Sequence, residues 1–143
     1  MYIEQISVFM ENKAGRLAEI TGVLADCGIN IQAMSLADTN DFGILRIIVD
    51  KPGDALNGLV GAGFRARVTK VVGIKLDHKP GGLHRILKIM ERNGISVEYI
   101  YDYLSAGDAE TVTIIAKLEN QRQAVDTLKN AGVEFTDLTG IRD

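Results

Sequence analysis

The chain has 143 residues, 46% hydrophobic and 24% charged, with a formal net charge of −3 and one cysteine. That length suits one medium domain or two small ones; the charge argues against a phosphate-backbone partner, which needs clustered Lys and Arg, and one cysteine excludes an internal disulfide or a cysteine metal cluster. No secretory leader is recognisable and no apolar run approaches the roughly 20 residues that span a bilayer, so the expected location is the cytoplasm, with no membrane partner.

From the start of the chain, Ile6, Val8 and Met10 alternate with Ser7 and Phe9, the period of a strand. Leu17, Ile20 and Leu24 form a helical stripe that Cys27-Gly28 ends. Asn30 to Leu36 reads as a second strand, Thr39-Asn40-Asp41 as a turn, and Phe42 to Asp50 as a third strand with Leu45, Ile47 and Val49 on one face. Pro52-Gly53-Asp54 opens a short helix whose apolar residues are Leu56, Leu59 and Val60, and Gly63 stops it. A fourth strand is expected near Arg65 to Thr69. The order then repeats: strand Val72 to Leu76, helix Leu83 to Arg92, strand Ser96 to Leu104, turn Ser105 to Asp108, strand Thr111 to Leu118, helix Gln121 to Ala131, and a last strand near Phe135 to Thr139.

The repetition is visible residue by residue. At an offset of 66, Gly15 falls on Gly81, Leu17 on Leu83, Ile20 on Ile86, Gly28 on Gly94 and Ile29 on Ile95. Leu45, Ile47 and Val49 match Val112, Ile114 and Ala116 at offset 67, and Leu59, Ala62 and Gly63 match Leu128, Ala131 and Gly132 at offset 69. Turns absorb length changes that packed elements do not. The chain therefore reads as a duplicated small domain, residues 1–70 and 71–143. The fold class is α+β: two ferredoxin-like βαββαβ units in tandem, with antiparallel sheets side by side and helices on one face. Val68 to Leu76 reads as one strand serving both units. Each unit alone is small enough to be marginal, and edge-to-edge joining would satisfy exposed strand edges and make one eight-stranded sheet with a seam.

The two first helices open in the same unusual way. Lys13, Ala14 and Gly15 precede one; Lys79, Pro80 and Gly81 precede the other. Neither offers a capping oxygen at the expected position, although Asn12 or Asp77 lies within a few residues. Free N–H groups and the positive end of a helix dipole suit an anion such as a carboxylate. The alternative is a plain tight turn, because glycine is itself an acceptable helix cap.

The loops "NKAGRL" and "HKPGGL", followed by "GINI" and "GISV", resemble the ACT domain, a small ferredoxin-like module that binds amino acids and regulates metabolic enzymes. The resemblance covers essentially the whole chain as two tandem copies. It implies an amino acid effector bound where the two modules meet, the strand-to-helix loop of one facing the second-strand start of the other. Carried over, one site combines Asn12, Lys13, Ala14, Gly15, Arg16 and Leu17 with Ser96 and Val97. The other combines His78, Pro80, Gly81, Gly82 and Leu83 with Asn30 and Ile31. Asn30 matches the family's polar residue and Ser96 is shorter, which favours the site using Asn30; Arg16 favours the other, since Gly82 replaces it in the second loop.

His78 and His84 lack a third partner at metal spacing, so neither metal nor cofactor is assigned. Tyr99, Tyr101 and Tyr103 alternate along one strand face and read as an apolar layer, a dimer surface or an aromatic wall beside the ligand. No nucleophile triad, P-loop or carboxylate pair stands out, so catalysis is not expected. The expected protein is a stand-alone amino acid sensor that signals to a metabolic enzyme or partner subunit. The alternatives are a subunit acting by protein contact alone and a small catalytic protein of the same fold. A homodimer is expected through an open sheet face carrying Phe9, Ile48 and Ile115.

Overall fold

The computed structural model describes residues 2–103 and 110–136. The expected turn Ser105 to Asp108, the end of the preceding strand at Leu104, and residues 137–139 of the expected last strand lie outside the described residues.

Among the described residues seven strands and four helices follow one another in the expected order: β1 (Tyr2–Glu11), α1 (Arg16–Asp26), β2 (Ile31–Asp38), β3 (Phe42–Val49), α2 (Pro52–Gly61), β4 (Arg65–Asp77), α3 (Gly82–Arg92), β5 (Val97–Tyr103), β6 (Thr111–Leu118), α4 (Gln121–Asn130) and β7 (Glu134–Thr136). The eight strands of two separate units become seven because residues 65–77 run as one strand. By contacts the chain divides into two compact units, Glu4–Lys70 and Val71–Asp143 with Met1–Ile3.

In the first unit β3 lies between β2 and β1, with β4 beside β1, and Arg67 of β4 sits over the Phe9 ring of β1 at 5.7 Å. In the second, β6 lies between β5 and β4, and β7 pairs with the other edge of β4. All registered pairs are antiparallel. This is the ferredoxin-like arrangement twice.

The helices cover one sheet face in each unit. Ile6, Val8 and Met10 of β1 and Leu45, Ile47 and Val49 of β3 pack with Ile20 and Leu24 of α1 and Ala55 and Leu59 of α2. The second unit places Val72, Ile74, Leu76, Ile114, Ala116 and Leu118 against Ile86, Met90, Ala124 and Leu128. Each fully buried Leu, Ile or Met contributes roughly 1.5–3 kcal/mol.

Two expectations are corrected here. The ladders pair Val8 with Leu45 and Ile74 with Ile114, and Ile6 with Ile47 and Val72 with Ala116. Leu45 and Ile47 therefore correspond to Ile114 and Ala116, an offset of 69 rather than 67. A slip of two residues keeps every side chain on its face, so alternation alone does not reveal it. On α2, Val60 is 54% exposed and Ala55 is fully buried: the buried stripe runs through positions 55 and 59, one turn apart.

The open-face expectation also changes. Ile48 and Ile115 are 2% and 0% exposed whereas Phe9 is 37% exposed, so of the three residues only Phe9 is open to solvent. On β5, Tyr103 is buried, Tyr99 and Tyr101 are half-buried, and Glu98, Ile100 and Asp102 between them are exposed, which keeps the tyrosines on one face. Among the described residues no helix is long and apolar enough to cross a membrane.

Candidate ligand site at the glycine-opened helices

Gly15 and Gly81 occupy the helix-capping positions of α1 and α3 with φ of 89° and 86°. This left-handed backbone is accessible to glycine without the Cβ penalty other residues meet. Each glycine carbonyl accepts the first helical bond, from Glu19 N–H at 2.9 Å and from Arg85 N–H at 3.0 Å. No side chain caps either helix. The turns close instead through the backbone: Arg16 N–H donates to the Lys13 carbonyl at 3.3 Å and Gly82 N–H to the Lys79 carbonyl at 3.0 Å. The next two amides, Leu17 and Ala18 in one helix and Leu83 and His84 in the other, have no acceptor among the described residues.

The side chains that stood nearest as possible caps are engaged elsewhere. Asn12 Nδ2 donates to Asp38 Oδ1 at 2.8 Å, and Asp77 faces Lys79 Nζ at 3.9 Å. A Cβ on Gly15 or Gly81 would meet nothing within 4 Å. The N-terminal dipole adds roughly 0.3–2 kcal/mol for an anion there.

The two tips differ in charge. Arg16 reaches Glu19 Oε2 at 3.0 Å and Glu11 Oε2 at 3.8 Å, and Lys13 Nζ is 3.1 Å from Glu11. The Lys13 hydrogen bond, followed by the Lys13 and Arg16 charges, holds the Glu11 carboxyl below its usual range. Arg16 is therefore engaged by its own carboxylates. At the equivalent place, Gly82 is buried and a Cβ there would run into the Asp77 backbone carbonyl. Glycine at 82 is a packing requirement.

The structure gathers Asn12, Lys13, Ala14, Gly15, Arg16 and Leu17 into one turn and His78, Pro80, Gly81, Gly82 and Leu83 into another. Leu17 is half-buried and Leu83 is 41% exposed. Asn30 and Ser96, just before β2 and β5, play matching backbone roles: their carbonyls accept from Asp50 N–H at 3.2 Å and Glu119 N–H at 3.0 Å. Ile31 and Val97 begin the strands and are half-buried. The Asn30 side chain is exposed and has no partner among the described residues.

The sequence reading passed over Gln32. Its Oε1 is buried with no hydrogen-bond partner, beside Ile31 where the register of β2 shifts against β3. A buried acceptor without a donor costs roughly 1–3 kcal/mol, and an ammonium group would satisfy it. Nothing in the alternation of β2 marks this residue; the bulge that sets it apart is a feature of strand pairing. Among the described residues no three His, Cys, Asp or Glu side chains cluster as metal ligands.

A family model described as "ACT domain pair" matches residues 1–139. The chain belongs to the ACT domain pairs. A solved protein from Bacteroides thetaiotaomicron is 35% identical, with a TM-score of 0.87, covering 95% of this chain and 92% of that one. The ligand-free regulatory subunit of aspartate kinase from Thermus thermophilus superposes with a TM-score of 0.63 at 18% identity, over 90% and 91% of the two chains; this is a likeness of fold. A 49-residue stretch is 33% identical to the acetolactate synthase small subunit of Buchnera aphidicola subsp. Baizongia pistaciae. That stretch is 34% of this ACT domain pair and spans 31% of the relative.

Proposed function

We propose that this ACT domain pair is a non-catalytic sensor that binds a free amino acid and passes its occupancy to a metabolic enzyme or partner subunit, acting as a homodimer. The observation that carries the reading is the pair of uncapped helix tips, each with a left-handed glycine and two free amides. The α-carboxylate of an amino acid is the anion that fits them. Two charge-assisted hydrogen bonds at roughly 1.5–3 kcal/mol each, with the dipole contribution, supply about half or more of the roughly 8 kcal/mol of micromolar binding. The remainder falls to acceptors for the ammonium group and a wall for the side chain. Asn30, Ile31, Ser96 and Val97 are the proposed second-strand contributors, and Gln32 Oε1 joins them as an acceptor in need of a donor. The short match to an acetolactate synthase small subunit supports a place beside an enzyme.

Isothermal titration and thermal shift against the twenty amino acids test this reading. The expected result is saturable binding of one or a few of them at micromolar to millimolar concentration. Silence with all twenty refutes the sensor. It would favour a regulatory subunit working by contact alone, a reading that the engagement of Arg16 by Glu11 and Glu19 supports for the first loop.

A further inference from the structure

Each repeat carries a groove along its first helix, and at two matched positions the two grooves bear opposite charges. In the first, a cleft of about 650 Å³ runs along α1 past Glu19, Gly22, Val23 and Asp26 to Ala62, just beyond α2. In the second, a cleft of about 650 Å³ runs along α3 past Arg85, Lys88, Ile89 and Arg92 to Ala131, just beyond α4. These are matched positions, 66 apart on the first helix of each repeat and 69 apart after the second. Glu19 stands where Arg85 stands, and Asp26 where Arg92 stands.

The remaining lining widens the contrast. The first groove adds Glu11 on its rim, Arg16 bound to Glu11 and Glu19, and Arg65; three carboxylates meet two guanidiniums. Three of the chain's four phenylalanines, Phe9, Phe42 and Phe64, also line it, and Phe42 is 62% exposed. The second groove has three cations, the imidazole of His84, and neither a carboxylate nor a phenylalanine in its lining. Arg85 and Arg92 have no ion-pair partner among the described residues, nor does Asp26, whereas Lys88 is held by Glu91 at 3.1 Å. Arg85, Lys88 and Arg92 share one helix face at i, i+3 and i+7. Guanidiniums stack on aromatic rings and pair with carboxylates in a planar fork, which is what the first groove offers.

We infer that the aromatic groove beside α1, with its unpaired Asp26 and exposed Phe42, is the docking site for the basic face of α3 from a second copy of this chain. The contact joins unlike faces, so a closed dimer makes it twice, each copy lending its α1 groove and its α3 face. Charge complementarity on a single polypeptide selects the occupant: both halves of the contact are present in every copy. The inference rests on the self-association proposed above, and its test reads association rather than amino acid binding.

Two charge-reversed proteins test it by light scattering and sedimentation. Glu19→Arg with Asp26→Arg makes both faces basic; Arg85→Glu with Arg92→Glu makes both acidic. The wild type is expected to associate, and to weaken as salt rises from 0.05 to 0.5 M because exposed pairs are screened (a Debye length of about 10 Å at 0.1 M). Each reversed protein should self-associate at least tenfold more weakly, and an equimolar mixture should recover a mixed dimer. A monomeric wild type overturns both this interface and the homodimer. Association insensitive to salt and to both reversals overturns the interface and leaves the homodimer standing on another surface. Failure of the mixture to re-associate also overturns it, since the two faces would then not recognise each other. Should a double variant not fold, Asp26→Arg and Arg92→Glu singly, with the wild-type salt titration, read the same contact.

Discussion

Replacing Gly15 with alanine adds a Cβ that touches nothing, yet the backbone at φ 89° still resists it. The expected loss is about 1–2 kcal/mol, the penalty of the left-handed region, read by urea denaturation. Asparagine enters that region far more readily, so Gly15→Asn should lose less stability while its side chain occupies the mouth of the turn. An amino acid titration of that variant should show at least a tenfold loss at this tip; unchanged binding would remove the first loop from the site. Gly82→Ala is a different experiment. Its Cβ meets backbone, which cannot swing aside, so the loss should reach roughly 1–3 kcal/mol, the range for overpacking. Glu11 reports the electrostatics of the first loop. Its folded-state pKa is depressed, so its ion pairs contribute above the unfolded-state pKa and are lost as pH falls through the folded value. Following its carboxyl resonance through an acid titration, Lys13→Gln should move the midpoint upward, because Lys13 is the largest cause of the depression.

Among the elements, the alternation of Ile6, Val8 and Met10 and the stripe of Ile20 and Leu24 were legible because one periodicity sets both local structure and burial. The glycine-opened tips were legible for the same reason, since the absence of a capping oxygen is a statement about residue types. Three things were not. The short helix α2 is apolar on more than one side, and composition could not choose Ala55 over Val60. The register of β6 depends on which residues pair, and period two is blind to a shift of two. The cover over Ile48 and Ile115 depends on the rest of the chain, which alternation along one strand does not encode. The α2 correction can be checked directly. Leu59→Ala should cost about 2–5 kcal/mol, as large-to-small changes in a closed core do. Val60→Ala, at an exposed position, should stay within about 0.5 kcal/mol. Equal losses would mean that Val60 is packed as closely as Leu59.

The whole molecule is a duplication in which the copies have kept their cores and parted at their surfaces. Buried positions repeat closely, Ile6 with Val72, Ile20 with Ile86 and Leu59 with Leu128, since each must fill the same volume. Exposed positions are free to change sign, and Glu19 with Arg85 and Asp26 with Arg92 have done so. The sequence made the repeat plain and the contrast easy to miss, because the opposed charges sit among residues that vary without consequence in most helices. One strand, β4, supplies Ala66 to the packing of one core and Val72, Ile74 and Leu76 to the other. Thermal unfolding should therefore be a single transition, moved by either Leu59→Ala or Leu128→Ala; two separated steps would count against this coupling.

That continuous strand also limits what can be done with the halves. Ordinary tandem modules can be cut apart, spaced with a longer tether or traded between proteins, because a dispensable segment lies between them. Here the last rung of one copy is covalently the first rung of the next, with no spare residue between. The duplication that made two modules has left no tether between them to cut.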